Sequence, residues 1–385
     1  MAVLLFLLSL VFAALALHPF VTYPLSLKLL RSRYSKPLIP DPSAAPLRFA
    51  VCMCAYNERN VIEAKAENLM ALKKAVPGLE VFIYIDAASD GTAEALQPWA
   101  GEFVIHNSPE RHGKTYGMNL LVSKATADII IFTDANVMLD TGSIPALARY
   151  FSDSQVGCVC GHLIYTNGED ASSETAANGS LYWRLEEGIK QLESETGSLM
   201  GADGSIFAIR RSLHHPPPPD IIDDMYVSFS ILCDGYRIVR APDVKAYEES
   251  VTVAKEEFRR KIRIACQAFN VHRLMWPRLR QLSGWDFYKY VSHKLIRWFV
   301  LYWLVLSGLF FLASLAVAGW GLLALVLPVL GAVVLALGYR FGIKPFPQIV
   351  DIFYAFAGAA LGVWRSIRGD RFQTWSPAQS VRAAK

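Results

Sequence analysis

No Asp, Glu, Lys, Arg or His occurs from Trp298 to Tyr339. At ~1.5 Å per residue that run makes about 63 Å of helix, roughly twice a ~30 Å hydrocarbon core. Gly319-Trp320-Gly321 divides it, so the sequence predicts a membrane hairpin over 298–338, with helices near Trp298 to Ala318 and Leu322 to Leu337. A buried soluble hairpin is the competing reading. Charge is scarce overall: of 385 residues, 19% are charged and 53% hydrophobic, which departs from soluble composition in both directions.

Other absences exclude whole function classes. No G-x-G-x-x-G follows the first strand-like run. His112-Gly113-Lys114-Thr115 has the ending of a phosphate-binding loop, but the glycine needed five positions before Gly113 is Ser108. Dinucleotide-dependent and kinase-like readings lose their support. None of the eight histidines stands at metal-ligand spacing from the six cysteines, which removes a zinc site. Cys52 with Cys54, and Cys158 with Cys160, are spaced by two in strand-like runs, too rigid for an easy disulfide, so the cysteines read as small core residues of a reducing compartment. The net charge of +4 is covered by basic residues beside the apolar runs, so nucleic acid is not implied.

The first 27 residues lack Asp, Glu, Lys and Arg; then Lys28, Arg31, Arg33 and Lys36 follow together. A cleaved signal peptide would need a basic segment in front. The basic cluster behind predicts instead an uncleaved anchor at 1–27, with the following chain in the cytoplasm. His293, Lys294 and Arg297, in a predicted interfacial helix at 282–297, and Arg340 with Lys344 beyond the hairpin give the same orientation. A last apolar stretch at 346–364 contains Asp351 and reads as a re-entrant or transmembrane helix, followed by a basic tail at 365–385.

Between these segments, 47–281 alternates strand and helix. Leu47 to Cys54, Glu80 to Asp86, Glu102 to His106 and Asp128 to Thr133 read as strands; Val61 to Ala75, Thr92 to Trp99 and Thr115 to Ala125 read as helices. This is the pattern of an α/β domain with a mainly parallel sheet, whose ligands bind at the carboxyl ends of the strands. Those ends carry Asn57-Glu58, Asp86, His112-Gly113-Lys114 and Asp134-Ala135-Asn136. Asp90 reads as an ordinary helix cap. Farther on, Asp223-Asp224 follows Pro216 to Pro219, and the two carboxylates read either as an acid pair with one raised pKa or as dipole-favoured residues opening a helix. Trp183, Glu186, Lys190 and Glu193 have helical spacing, with Trp183 read as facing a core and, as the alternative, as stacking on an acceptor. Arg259, Arg260, Lys261 and Arg263 put four cations on one helix, suited to lipid headgroups or to a diphosphate.

Cys54-Ala55-Tyr56-Asn57-Glu58, Asp86 through Thr92, Gly113-Lys114, Thr133-Asp134-Ala135-Asn136, Gly201-Ala202-Asp203-Gly204, Asp223-Asp224 and Gly235-Tyr236-Arg237 together resemble family 2 glycosyltransferases of the GT-A fold. Ser292-His293-Lys294 with Arg297-Trp298 resembles a membrane-bound branch related to bacterial exopolysaccharide synthases. The resemblance implies inverting transfer of a sugar from a nucleotide diphosphate sugar, usually uridine-linked, to an acceptor hydroxyl, a lipid-linked sugar or growing polysaccharide, at a bacterial inner membrane. It assigns Asp134 and Asn136 to Mg²⁺ or Mn²⁺, Asp224 to the general base beside Asp223, Asp86 to the nucleobase, and Asn57, Glu58, Lys114 and Asp134 to the nucleotide. Asp203, Arg260 and Arg263 fall to the acceptor or diphosphate. Asn136 stands where the family has a second acid, and Arg260-Lys261-Ile262-Arg263-Ile264 where processive relatives carry Q-x-x-R-W. Membrane lipids and a polysaccharide-synthesis complex are the partners implied. A nucleotide-sugar hydrolase or nucleotidyl transferase, and a non-catalytic nucleotide-binding subunit, are the alternatives.

Overall fold

The computed structural model describes residues 1–166, 174–249 and 254–374, with the backbone alone at 174–183 and 254–255. The expected side-chain role of Trp183 and the end of the basic tail therefore lie outside the described residues.

Eight strands form one sheet: β1 (Phe49–Ala55), β2 (Glu80–Asp86), β3 (Val104–Ser108), β4 (Ile129–Asp134), β5 (Met138–Leu139), β6 (Val156–Tyr165), β7 (Ile206–Arg210) and β8 (Arg237–Glu248). Their order is β3-β2-β1-β4-β7-β6-β8-β5. The first four are parallel, and β7 runs against β4 and β6. β6 and β8 are parallel and β5 closes the edge antiparallel. The sheet is thus parallel through its first half and mixed beyond it.

Period-two alternation explains why β1 has no polar side chain. Val51, Met53 and Ala55 pack on one face with Ile62, Ala66 and Leu69 of the helix Arg59–Ala75; Ala50, Cys52 and Cys54 pack on the other with Met118, Leu121 and Val122 of the helix Lys114–Lys124. The four cysteines of β1 and β6 are buried and free. Pairing Cys54 with Asp134, Ala55 with Ile85 and Asp86 with Ser108 aligns the carboxyl ends of β1 to β4 along one edge.

The N-terminal apolar run is two helices, Ala2–Leu17 and Thr22–Tyr34, bent by 64° at a break of four residues that contains Pro19. The first lies along Val300–Val317, where Phe12 stacks on Trp303 and Phe310 at 5.9 and 5.4 Å. Val300–Val317, Gly321–Arg340 and Phe346–Ile367 are each long and apolar enough to cross a membrane. Gly321–Arg340 runs on through Pro328, past both ends of the expected helix. Phe346–Ile367 seats Gly362 against the helix Ala254–Leu279, where an added Cβ would stand 2.6 Å from the Ala265 methyl.

Candidate active site

Lys114 opens its helix directly after Gly113, and its ammonium stands 2.7 Å from Asp134 Oδ1 at the end of β4 and 3.9 Å from Asp223 Oδ2. Three segments far apart in sequence are thereby held within one ammonium's reach. Burial works against the Lys114 charge, but Asp134 and Asp223 outweigh it and raise its pKa, so the residue stays protonated. Asp223 is 4% exposed, and its Oδ2 has no hydrogen-bond partner among the protein atoms. A buried oxygen of this kind is costly unless a ligand donor meets it.

Asp223 and Asp224 occupy the first turn of the helix Asp223–Cys233, where the helix dipole favours them. Asp224 accepts the N–H of Met225. Burial first, and then the neighbouring Asp223, push its carboxyl up to about 7, with Lys114 opposing and Asp203 adding to the rise. A carboxyl poised there takes up and releases a proton near neutrality, the property a general base needs. Gly204 makes room for it: a Cβ at that position would lie 2.7 Å from Asp224 Oδ2. Asp203 pairs with Lys190, which also binds Glu187 at 2.8 Å.

On the opposite flank Asp86 is fully buried and accepts the backbone N–H groups of His112 at 2.7 Å and Gly113 at 3.1 Å. It shapes the loop that presents Lys114. Asn57, at φ +53°, accepts the N–H of Ser89 through Oδ1, and buried Glu58 donates its backbone N–H to Thr92. The Arg111 guanidinium lies 3.5 Å over the Tyr56 ring and 3.7 Å from Asp86. Gly91, not Asp90, is the N-cap of the helix Thr92–Ala95; Asp90 stands one residue earlier and accepts the N–H groups of Thr92 and Arg59, tying the two helix starts together.

Asn136 donates to Glu248 Oε1 at 2.9 Å, joining the ends of β4 and β8. No group of three or more His, Cys, Asp or Glu able to hold a metal exists among the described residues. Asp134 and the Asn136 amide oxygen offer hard oxygen donors of the type that Mg²⁺ or Mn²⁺ takes together with substrate phosphates, so the residues fit an ion brought in with a diphosphate rather than an all-protein cage. The basic helix Ala254–Leu279 reaches this place too. Burial and then Arg260 lower the Arg263 pKa, while Asp134 and Asp224 oppose that, and Arg260 sits in the field of Glu257, Tyr165 and Glu248.

Gly204 stands in a motif the sequence already singled out, but its clearance for Asp224 was not foreseen, and two participants were missed altogether: Glu248, at the end of β8, and Lys65, fully buried next to Thr133 and Val137. Sequence reasoning also missed the buried cluster in which His293 bonds Glu193 at 2.8 Å and Glu186 at 3.0 Å. The spacing of Glu186, Lys190 and Glu193 on one helix face was its available signal.

Residues 50–215 match the model of Glycosyl transferase family 2. That stretch is similar to family 2 glycosyltransferases. Poly-beta-1,6-N-acetyl-D-glucosamine synthase of Staphylococcus aureus (strain MSSA476) is 25% identical over 222 residues, 54% of this chain and 52% of that relative. An N-acetylglucosaminyltransferase of Rhizobium meliloti (strain 1021) is 25% identical over 224 residues, 55% of this chain and 52% of the relative. The chain thus spans about half the length of the curated relatives it matches. The solved mannosyltransferase PcManGT from Pyrobaculum calidifontis, in complex with GDP-Man and Mn²⁺, aligns over 94% of this chain and 99% of its own with a TM-score of 0.72 at 23% identity, a likeness of fold. The GT-A fold with apolar helices beyond it is the architecture of this chain.

Proposed function

We propose that the chain is a membrane-anchored, inverting hexosyl- or N-acetylhexosaminyltransferase, which takes a sugar from a nucleotide diphosphate sugar, with UDP-sugars first among the donors. Its acceptor is the hydroxyl of a lipid-linked or polysaccharide glycan at the cytosolic face of a bacterial inner membrane. The observation that carries this reading is the Lys114 ammonium between Asp134 and Asp223, with Asp224 held near neutrality beside them.

Asp224 takes the proton of the acceptor hydroxyl as its oxygen bonds to the anomeric carbon; the bond from that carbon to the diphosphate breaks, and the electron pair leaves with the nucleoside diphosphate. Lys114 and Arg263, with Arg260 behind, offset the charge that accumulates on the leaving group. Mg²⁺ or Mn²⁺ held by Asp134 and Asn136 would supply further neutralisation of the phosphates when bound. Asn57, Glu58 and Asp86 bound the nucleoside side, and Asp203 the acceptor side. The names of the curated relatives support an N-acetylglucosamine donor and a polysaccharide product. Membrane insertion rests on the three long apolar helices and on the basic residues flanking them.

The test uses the purified full chain with a panel of UDP-sugars and GDP-mannose, Mn²⁺ or Mg²⁺, and membrane lipid extract, scored by nucleoside diphosphate release. Acceptor-dependent release that a chelator abolishes and Mn²⁺ restores is the expected outcome. Release independent of any acceptor favours a hydrolase, and no release from any donor defeats the proposal.

A further inference from the structure

After the helix Phe346–Ile367 the chain turns at Gly369, with φ +94°, and runs back across the catalytic domain. Its backbone is received by two buried amides of the basic helix. Asn270, 1% exposed, donates to the Asp370 carbonyl at 3.0 Å, and Gln267, 8% exposed, donates to the Phe372 carbonyl at 2.9 Å. These two bonds from side chains to backbone seat the segment on the helix at a fixed register.

What this segment then touches is the pair of loops that supply the catalytic charges. Gln373 donates through Nε2 to the His112 carbonyl at 3.1 Å, and its own carbonyl oxygen stands 2.1 Å from where a Cβ on Gly113 would be. Gly113 also has φ +89°, so two independent reasons require glycine there. Arg371 lies 3.6 Å from Asp220, three residues before Asp223. The loop 112–114 is therefore held from one side by the Asp86 carboxylate and from the other by Gln373, and Lys114 is the next residue out of that grip.

We infer that residues 370–373 are a working part of the donor site, a strap that fixes the Lys114 loop for the diphosphate and ties donor binding to the docking of the helix Phe346–Ile367. This inference rests on the glycosyltransferase reading. It goes beyond it by placing a donor-positioning role on residues outside the family 2 domain. Gly113 then serves as the seat of the strap, which explains the remnant of a phosphate-loop motif that lacks the rest of its glycines.

The test is steady-state kinetics of the full chain against Gln373→Glu, which replaces the amide donor with a carboxylate facing the His112 carbonyl, and against a chain stopped after Asp370. For Gln373→Glu the KM for the nucleotide sugar rises about fivefold or more, as expected for a lost hydrogen bond. The KM for acceptor and the thermal midpoint stay at wild-type values. The shortened chain shows the larger donor KM of the two. An unchanged donor KM in both variants, or a rise matched by the acceptor KM, overturns the inference. An unmodified chain that turns over no donor overturns the underlying function instead.

Discussion

Replacing Asp224 by Asn separates catalysis from stability. The carboxyl stands at about 7 in the folded protein against an ordinary 3.8. At about 1.4 kcal/mol for each tenfold change in proton affinity, keeping it ionised costs the native state on the order of 4 kcal/mol. The sign follows from linkage. Between pH 4 and 7, roughly, the unfolded chain binds fewer protons at this site than the folded one, so the site's contribution to stability declines as pH rises and is fully unfavourable above about 7. Asn removes that cost. Asp224→Asn is therefore expected to raise the apparent thermal midpoint at pH 8 relative to wild type and to lower turnover by roughly 10² or more. The wild-type rate is expected to climb about tenfold per pH unit up to about 7 and then level, with the base ionised. Donor turnover from pH 5 to 9, with thermal scans at pH 5.5 and 8 on the detergent-solubilised protein, measures both. Turnover of the variant within tenfold of wild type at pH 8, or a rate that stays flat through pH 7, refutes the assignment of Asp224 as base.

Gly204→Ala changes no charge but drives a methyl to within 2.7 Å of Asp224 Oδ2; kcat is expected to fall about tenfold or more with unchanged circular dichroism. His293, 1% exposed, loses charge stability by burial but gains more from Glu193 and Glu186, which lift it to about 9. Its stabilisation is present below the unfolded pKa of about 6.5 and lost as pH rises through 9, so the thermal midpoint should fall over that window. His293→Phe removes the cation between Glu186 and Glu193, leaving Glu186 with Arg297 and the buried Glu193 with the Tyr23 hydroxyl and the Met200 N–H; it should lower stability at pH 6 by about 1 kcal/mol or more and abolish that pH dependence, which thermal scans at pH 6 and 9.5 would show.

The candidate acids were legible because each sits where a strand or a proline run ends, and a period-two pattern fixes that place to within a residue or so. β2 has the bounds its apolar run predicts, and β4 is displaced by one residue at each end, starting at Ile129 and taking in Asp134. The long uncharged run announced its helices for the same local reason. The bend after Leu17 was less visible, since the absence of acidic and basic side chains continues to Leu27 across His18 and Pro19 and joins two helices into one apparent run. The second half of the sheet was hidden as well, because β7 pairs antiparallel with a strand more than seventy residues earlier, and no local pattern records a partner. Arg260 and Arg263 left two destinations open, lipid or diphosphate, and only packing of their helix brings Arg263 into the field of Asp134 and Asp224.

By itself the sequence determined which residue types were available, several of the stretches that would be helix or strand, and which of them are long, apolar and free of acidic and basic residues, because these depend on side-chain periodicity and local backbone preference. Tertiary structure alone decided that Lys114 stands between Asp134 and Asp223, that Gly204 clears space for Asp224, and that Gln373 rests on a loop 261 residues earlier in the chain. Those relations depend on distances across the sheet and between helices, and chain order carries no measure of such distances until the core has packed.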